Sequence, residues 1–137
     1  MLCSQKCYTI KHMMNIQKTV KWFGVLLLVL GLAGFIPGIV TTGGYLFGIF
    51  LVSVLMNLIH IIVGLVGIES AVTETAALRY FKIVGVLFAV IAIFGFVSNG
   101  TIMTTNTASS VLATIFALFA LYVGFVPRTN NISAPVL

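Results

Sequence analysis

Asn57 and His60 are the residues of this chain best equipped for chemistry. They stand three positions apart near the middle of an apolar stretch, residues 45–68, that contains no charged side chain. A neutral imidazole offers one hydrogen-bond donor and one acceptor, and a carboxamide offers both. Such a pair can hold a polar ligand, pass a proton or tie helices together. At ~1.5 Å per residue the stretch is long enough to cross a bilayer core of ~30 Å, where these groups cost free energy that leucine would not. Ser53 falls on the same helical face, four residues before Asn57.

The remaining polar residues promise less. Cys3 and Cys7 form a C-x-x-x-C pair with only His12 nearby, too few ligands for a structural metal site, so an unstructured tail is the expectation. Glu69 follows His60 by nine residues, about 13.5 Å of helix, and a proton relay between them needs water in between. Glu69 and Glu74 are expected to pair with Arg79 and Lys82 on a solvated surface. Asn99-Gly100-Thr101 fits the glycosylation pattern but lies close against apolar residues. The chain has no phosphate loop, no nucleophile beside a base and no carboxylate pair within its apolar blocks. It is therefore not expected to be an enzyme, and its residues ask for no metal or cofactor.

What positions Asn57 and His60 follows from composition. Of 137 residues 61% are hydrophobic and 7% charged, against ~25% charged in a soluble domain. The apolar material falls into four blocks, about residues 20–36, 46–68, 83–97 and 108–126. This predicts an all-α membrane protein, an antiparallel four-transmembrane-helix bundle over residues 18–127, with tails at 1–17 and 128–137. Met14-Asn15-Ile16-Gln17-Lys18 reads as an ordinary start, which would set the first tail residues outside the functional chain. The apolar run after Lys21 continues to Val40, too long for a typical signal core, so a retained first span is expected.

Charge sets the orientation. Lys6, Lys11, Lys18 and Lys21 precede the first block, Arg79 and Lys82 lie between the second and third, and Arg128 follows the fourth. The connections at 37–45 and 98–107 carry no charge. All Lys and Arg thus fall on one face, which the positive-inside rule assigns to the cytoplasm, with both termini inside. The net charge of +5 is topogenic and needs no nucleic acid. Trp22 and Tyr45 are placed as interfacial anchors, with Tyr80 and Tyr122 as additions to the inner belt.

Small residues mark the packing faces. In the second span Ser53, Asn57, His60, Gly64 and Gly67 share one side; in the fourth, Ser110, Ala113, Ala117, Ala120 and Gly124 do. The third offers Gly85, Ala89 and Ala92, and the first Gly24, Gly31 and Gly38. Seams of this kind let membrane helices approach closely, and the bundle is expected to be left-handed. The halves also resemble each other. At an offset of 61, seven of the fifteen residues 21–35 are identical, with Gly24 meeting Gly85 and Gly34-Phe35 meeting Gly95-Phe96. At an offset of 60, Gly64 meets Gly124, and Asn57 and His60 fall opposite Ala117 and Ala120. Two duplicated hairpins related by an axis along the membrane normal are expected, with space beside His60.

Gly34-Phe35-Ile36-Pro37-Gly38, Gly48-Ile49-Phe50 and Asn57-x-x-His60-x-x-x-Gly64 resemble the bacterial four-helix membrane family called domain of unknown function 4383. The resemblance runs from about Lys18 to Val126 and implies a bacterial cytoplasmic membrane protein without an assigned activity. Members of that family often have a second His directly before the Asn, where this chain has Met56, which weakens a two-imidazole site.

Three readings of the polar pair follow. The leading one is a small structural or interaction protein that self-associates or docks on a larger membrane partner, with Asn57 and His60 as helix ties. The second is a small permease or proton-coupled carrier using the pair near the midplane. The third is binding of haem or quinone through His60.

Overall fold

The computed structural model describes residues 2–98 and 106–126, with side chains from Ile16 onward. Cys3, Cys7, His12, Lys6 and Lys11, the Asn99-Gly100-Thr101 triplet, and Arg128 with the last tail lie outside the described side chains.

Four helices are long and apolar enough to cross a membrane. The first, α1, runs Leu2–Ala33, so the segment read as a tail is helical in its backbone, and its apolar window is Ile16–Ala33. It stops before the predicted residue 36. Pro37 disfavours helical backbone at Ile36, and turns at Phe35 and Ile36 replace the helical ladder. Gly38 does not continue the seam of Gly24 and Gly31; it is a turn residue at φ 104°.

The second block departs most from expectation. Residues 46–51 are apolar yet not helical. They form a small antiparallel hairpin, β1 (Tyr45–Leu46) and β2 (Phe50–Leu51), with Tyr45 opposite Leu51 and Leu46 opposite Phe50. Its turn needs left-handed backbone at Phe47 (φ 53°) and Gly48 (φ 74°), which glycine adopts freely and phenylalanine at a cost of about 1–2 kcal/mol. Helix α2 covers only Val54–Glu69 and reaches membrane length with the single 3₁₀ turn Ser70–Val72. Ser53 is its N-cap, accepting from Met56 N at 3.2 Å, rather than a member of the polar face.

Helix α3 spans Glu74–Val97, nine residues longer at its start than the apolar block. Thr73 caps it, and Ala77, Tyr80, Phe81, Val84, Gly85 and Phe88 carry one buried stripe through the charged segment. Helix α4, Thr107–Phe125, starts on Asn106. The outward faces hold Val29, Leu55, Ile62, Val86, Ile93 and Leu118, exposed apolar side chains whose solvent is hydrocarbon. Lys18, Lys21, Arg79 and Lys82 gather at the end opposite the β-hairpin, where the Lys82 ammonium lies 5.1 Å over the Phe125 ring. Glu69 makes no ion pair among the described residues.

The helices associate as two hairpins, α1 with α2 and α3 with α4. Gly24 and Gly64 face each other so closely that a Cβ on either would lie 2.7 Å from the other's carbonyl oxygen. In the second hairpin Gly85 faces Leu121 and Gly124 faces Phe81 and Lys82. The glycines that meet across the first hairpin therefore do not meet across the second: α3 and α4 pack in a register shifted by about one turn from that of α1 and α2. Between the hairpins lies an aromatic cluster. Phe23 approaches Phe81, Phe116 and Phe119 with centroids 5.6, 5.7 and 5.6 Å away, and Phe88 meets Phe116 at 5.7 Å. Tyr80 belongs to this interior rather than to an interfacial belt, since its hydroxyl donates to Val63 O at 3.0 Å.

Candidate functional site

One helix places both polar residues, and its neighbours divide them. Asn57 and Gly64 point toward α1, where Gly31 packs on Asn57 O and Ile61. His60 turns toward α3, its ring 5.6 Å from that of Phe88. The two side chains make no hydrogen bond with each other. His60 Nδ1 instead lies 2.8 Å from Met56 O, one turn back on its own helix. A carbonyl oxygen can only accept, so Nδ1 carries the proton, and in the neutral ring Nε2 is left as an acceptor.

Asn57 is 4% exposed, and its carboxamide has no hydrogen-bond partner among the described residues. It fits in this position because Gly34, at the end of α1, has no side chain; a Cβ there would collide with the carboxamide. Buried polar groups in native proteins are nearly always paired, so an unpaired carboxamide inside an apolar bundle calls for an explanation.

Asn57 and His60 both line a cavity of about 80 Å³ between the hairpins. Leu30 and Met56 form one side, Phe88, Leu112, Ala113 and Phe116 the other, and Leu46, Phe47, Phe50 and Leu51 cover it. The wall opposite His60 is thus Leu112, Ala113 and Phe116, about one turn before the Ala117 and Ala120 that the sequence offset indicates. Ala117 and Ala120 are buried in the core. Gly31 lies against Ile61 and Asn57 O, while Gly67 meets Tyr80.

The cover is fastened by a residue that sequence reasoning passed over. Asn106 caps α4 by accepting from Ser109 N at 2.9 Å, and its Nδ2 donates to Ile49 O at 2.7 Å in the hairpin turn. Its Oδ1 also accepts from Leu51 N at 3.4 Å. Ser109 Oγ lies 2.9 Å from Leu51 O and 2.8 Å from Asn106 Oδ1, either of which its one proton can serve. The signal was an Asn just before an apolar run with Ser three positions on, a helix start that says nothing about a distant strand.

This donor set suits small neutral chemistry. Among the described residues no Asp, Glu, Lys or Arg side chain lines the cavity, and there is no cluster of three His, Cys, Asp or Glu side chains able to hold a metal. A volume of about 80 Å³ does not accommodate a porphyrin. A quinone carbonyl, which only accepts, can be met by the Asn57 NH₂ but leaves Nε2 without a donor.

Four apolar helices paired as two hairpins, with lipid-facing outer surfaces, define a small multi-pass membrane protein. The chain belongs to the family described as Domain of unknown function (DUF4383), whose sequence model matches residues 17–126. No curated protein and no solved structure matches it.

Proposed function

We propose that this is a non-enzymatic protein of the bacterial cytoplasmic membrane, both termini cytoplasmic, that holds a small molecule in the cavity between its hairpins. The observation that carries the reading is Asn57: a carboxamide 4% exposed, unpaired among the described residues, on the wall of a cavity it shares with His60. A helix tie would have its partner on a neighbouring helix, and neither side chain reaches one among the described residues. Binding is favoured over conduction through a single chain, because Phe23, Phe81, Phe88 and Phe116 fill the interior beyond the cavity. Native mass spectrometry of the protein released from nanodiscs is the test. The native chain should retain a small-molecule mass that Asn57→Leu lacks; identical bare masses for both would sink the reading.

Orientation rests on Lys18, Lys21, Arg79 and Lys82 sharing one end. Reporter fusions near Thr42, within the Ser70–Val72 turn, near Thr105 and after Leu137 should read outside, inside, outside and inside.

A self-associating structural protein is the second reading. An open groove of about 530 Å³ between α1 and α4, with Trp22, Leu26, Ile115 and Phe119 along it, is the face on which a second copy would seat. Cysteines at Trp22 and Ile115 should then crosslink between chains in native membranes, and a strictly monomeric product counts against it.

A further inference from the structure

We infer that the cavity takes a small neutral molecule through its hydroxyl group, which donates to His60 Nε2 and accepts from the carboxamide of Asn57. The inference rests on the reading of this cavity as a binding site and specifies its chemistry.

The hydrogen-bond inventory narrows the ligand. Met56 O fixes the His60 proton on Nδ1, so Nε2 can be satisfied only by a donor. Ketones, ethers and oxidised quinones offer acceptors alone. Asn57 brings both an NH₂ and a carbonyl, either of which can meet a group that donates and accepts at once. Among organic groups a hydroxyl is the smallest that donates to Nε2 and still accepts from an amide. Charge is excluded from both sides. Lys18 and Lys21 are at the far end of α1, and no Asp, Glu, Lys or Arg side chain is among the described lining residues, so an ammonium or carboxylate would enter with no charged partner beside the neutral His60.

Size narrows it further. A cavity that binds benzene measures about 150 Å³, and this one about 80 Å³, so a body of a few carbon atoms fits without repacking. Phe88, Leu112 and Phe116 supply apolar contact for that body. Larger alcohols would enter hydroxyl first, with their bodies reaching past Phe47 and Leu51.

The experiment uses the full chain in nanodiscs with His12→Ala, which leaves His60 as the one histidine of the two in the sequence. With ¹⁵N-labelled histidine, 2-propanol and acetone are titrated separately; they have the same shape and differ in the donor. Xenon reports whether the cavity is open to any guest. The expected result is a saturable displacement of the Nε2 resonance by 2-propanol, none by acetone, and at least tenfold weaker binding of 2-propanol in Asn57→Leu. If acetone binds as well as 2-propanol, or xenon enters while 2-propanol leaves Nε2 unmoved, the hydroxyl assignment is overturned and the cavity remains a site. If none of the three perturbs His60 or the lining methyl groups, the binding reading falls with it.

Discussion

The carboxamide of Asn57 occupies the space that a side chain at Gly34 would fill. One residue holds its buried position only because the other has no Cβ. Gly34→Ala should therefore push Asn57 off its site and cost about 1–3 kcal/mol, as overpacking typically does. Asn57→Ala removes the obstacle, so adding Gly34→Ala to it should cost much less than in the native chain. Thermal unfolding of the four species in detergent reads the coupling, and strictly additive losses would contradict the contact.

Gly24 and Gly64 make a stronger demand, because what each Cβ would meet is backbone at 2.7 Å rather than a movable side chain. Alanine at either position must force α1 and α2 apart. At Gly124 the nearest atoms are 3.0 Å away and include the flexible Lys82 chain. Gly24→Ala and Gly64→Ala should each lower stability by about 1–3 kcal/mol, and Gly124→Ala by less. Equal losses at all three would show that the two hairpins pack with the same tightness.

Tyr80 joins the hairpins through its hydroxyl on Val63 O at 3.0 Å, and Gly67 leaves room for that ring. Tyr80→Phe should cost about 0.6 kcal/mol, the average for hydrogen bonds between membrane helices. Gly67→Ala would meet the hydroxyl at 2.7 Å and should cost more. Combining the two should recover only a small part of the loss, since the hydroxyl at 2.7 Å is removed while the ring carbon Cζ at 2.8 Å stays. A double mutant as unstable as the sum of its parts would place the strain on that ring carbon or against Gly24.

The sequence was legible where a pattern has one physical meaning. Four apolar blocks follow from bilayer thickness, and they are the four helices long and apolar enough to cross it; the family reading is met by the sequence model that matches residues 17–126. Gly24, Gly31, Gly64 and Gly67 stand at helical spacing in the sequence, and each lies against a neighbouring helix in the structure. Residues 46–51 were misread because apolarity alone does not separate helix from strand; Gly48 and the Ser53 cap decide it locally. The register of α3 against α4, and the place of Phe116 rather than Ala120 on the wall opposite His60, arise from packing that the repeat does not encode. That Asn57 and His60 part toward different neighbours was equally hidden, since positions three apart lie on one face but need not share a partner.

Asn106 should behave as two devices in one side chain. Asn106→Ala loses the α4 cap and the fastening of the hairpin, and should cost about 1–2 kcal/mol. Asn106→Asp keeps an oxygen for Ser109 N but loses the donor to Ile49 O. It should therefore retain most of the stability while speeding hydrogen exchange at the Leu51 amide, which bonds the same side chain. An Asp variant with unchanged exchange would mean that the hairpin is held over the cavity by its apolar contacts alone.

Asn57→Leu separates a site from a tie most directly. Leucine and asparagine branch at the same carbon, so the change keeps the fit against Gly34 while removing both polar atoms. A carboxamide that holds helices together would leave a partner unsatisfied when replaced, and the protein would lose about 1–3 kcal/mol. A carboxamide with no protein partner carries its desolvation cost uncompensated, and an apolar group of the same shape relieves it. The arrangement around Asn57 is of the second kind. Ligand-free protein carrying Asn57→Leu should therefore melt higher than the native chain, by the equivalent of about 1 kcal/mol, while losing whatever the cavity binds. A lower melting temperature in ligand-free protein would give the carboxamide a structural partner and remove the main support for a binding site.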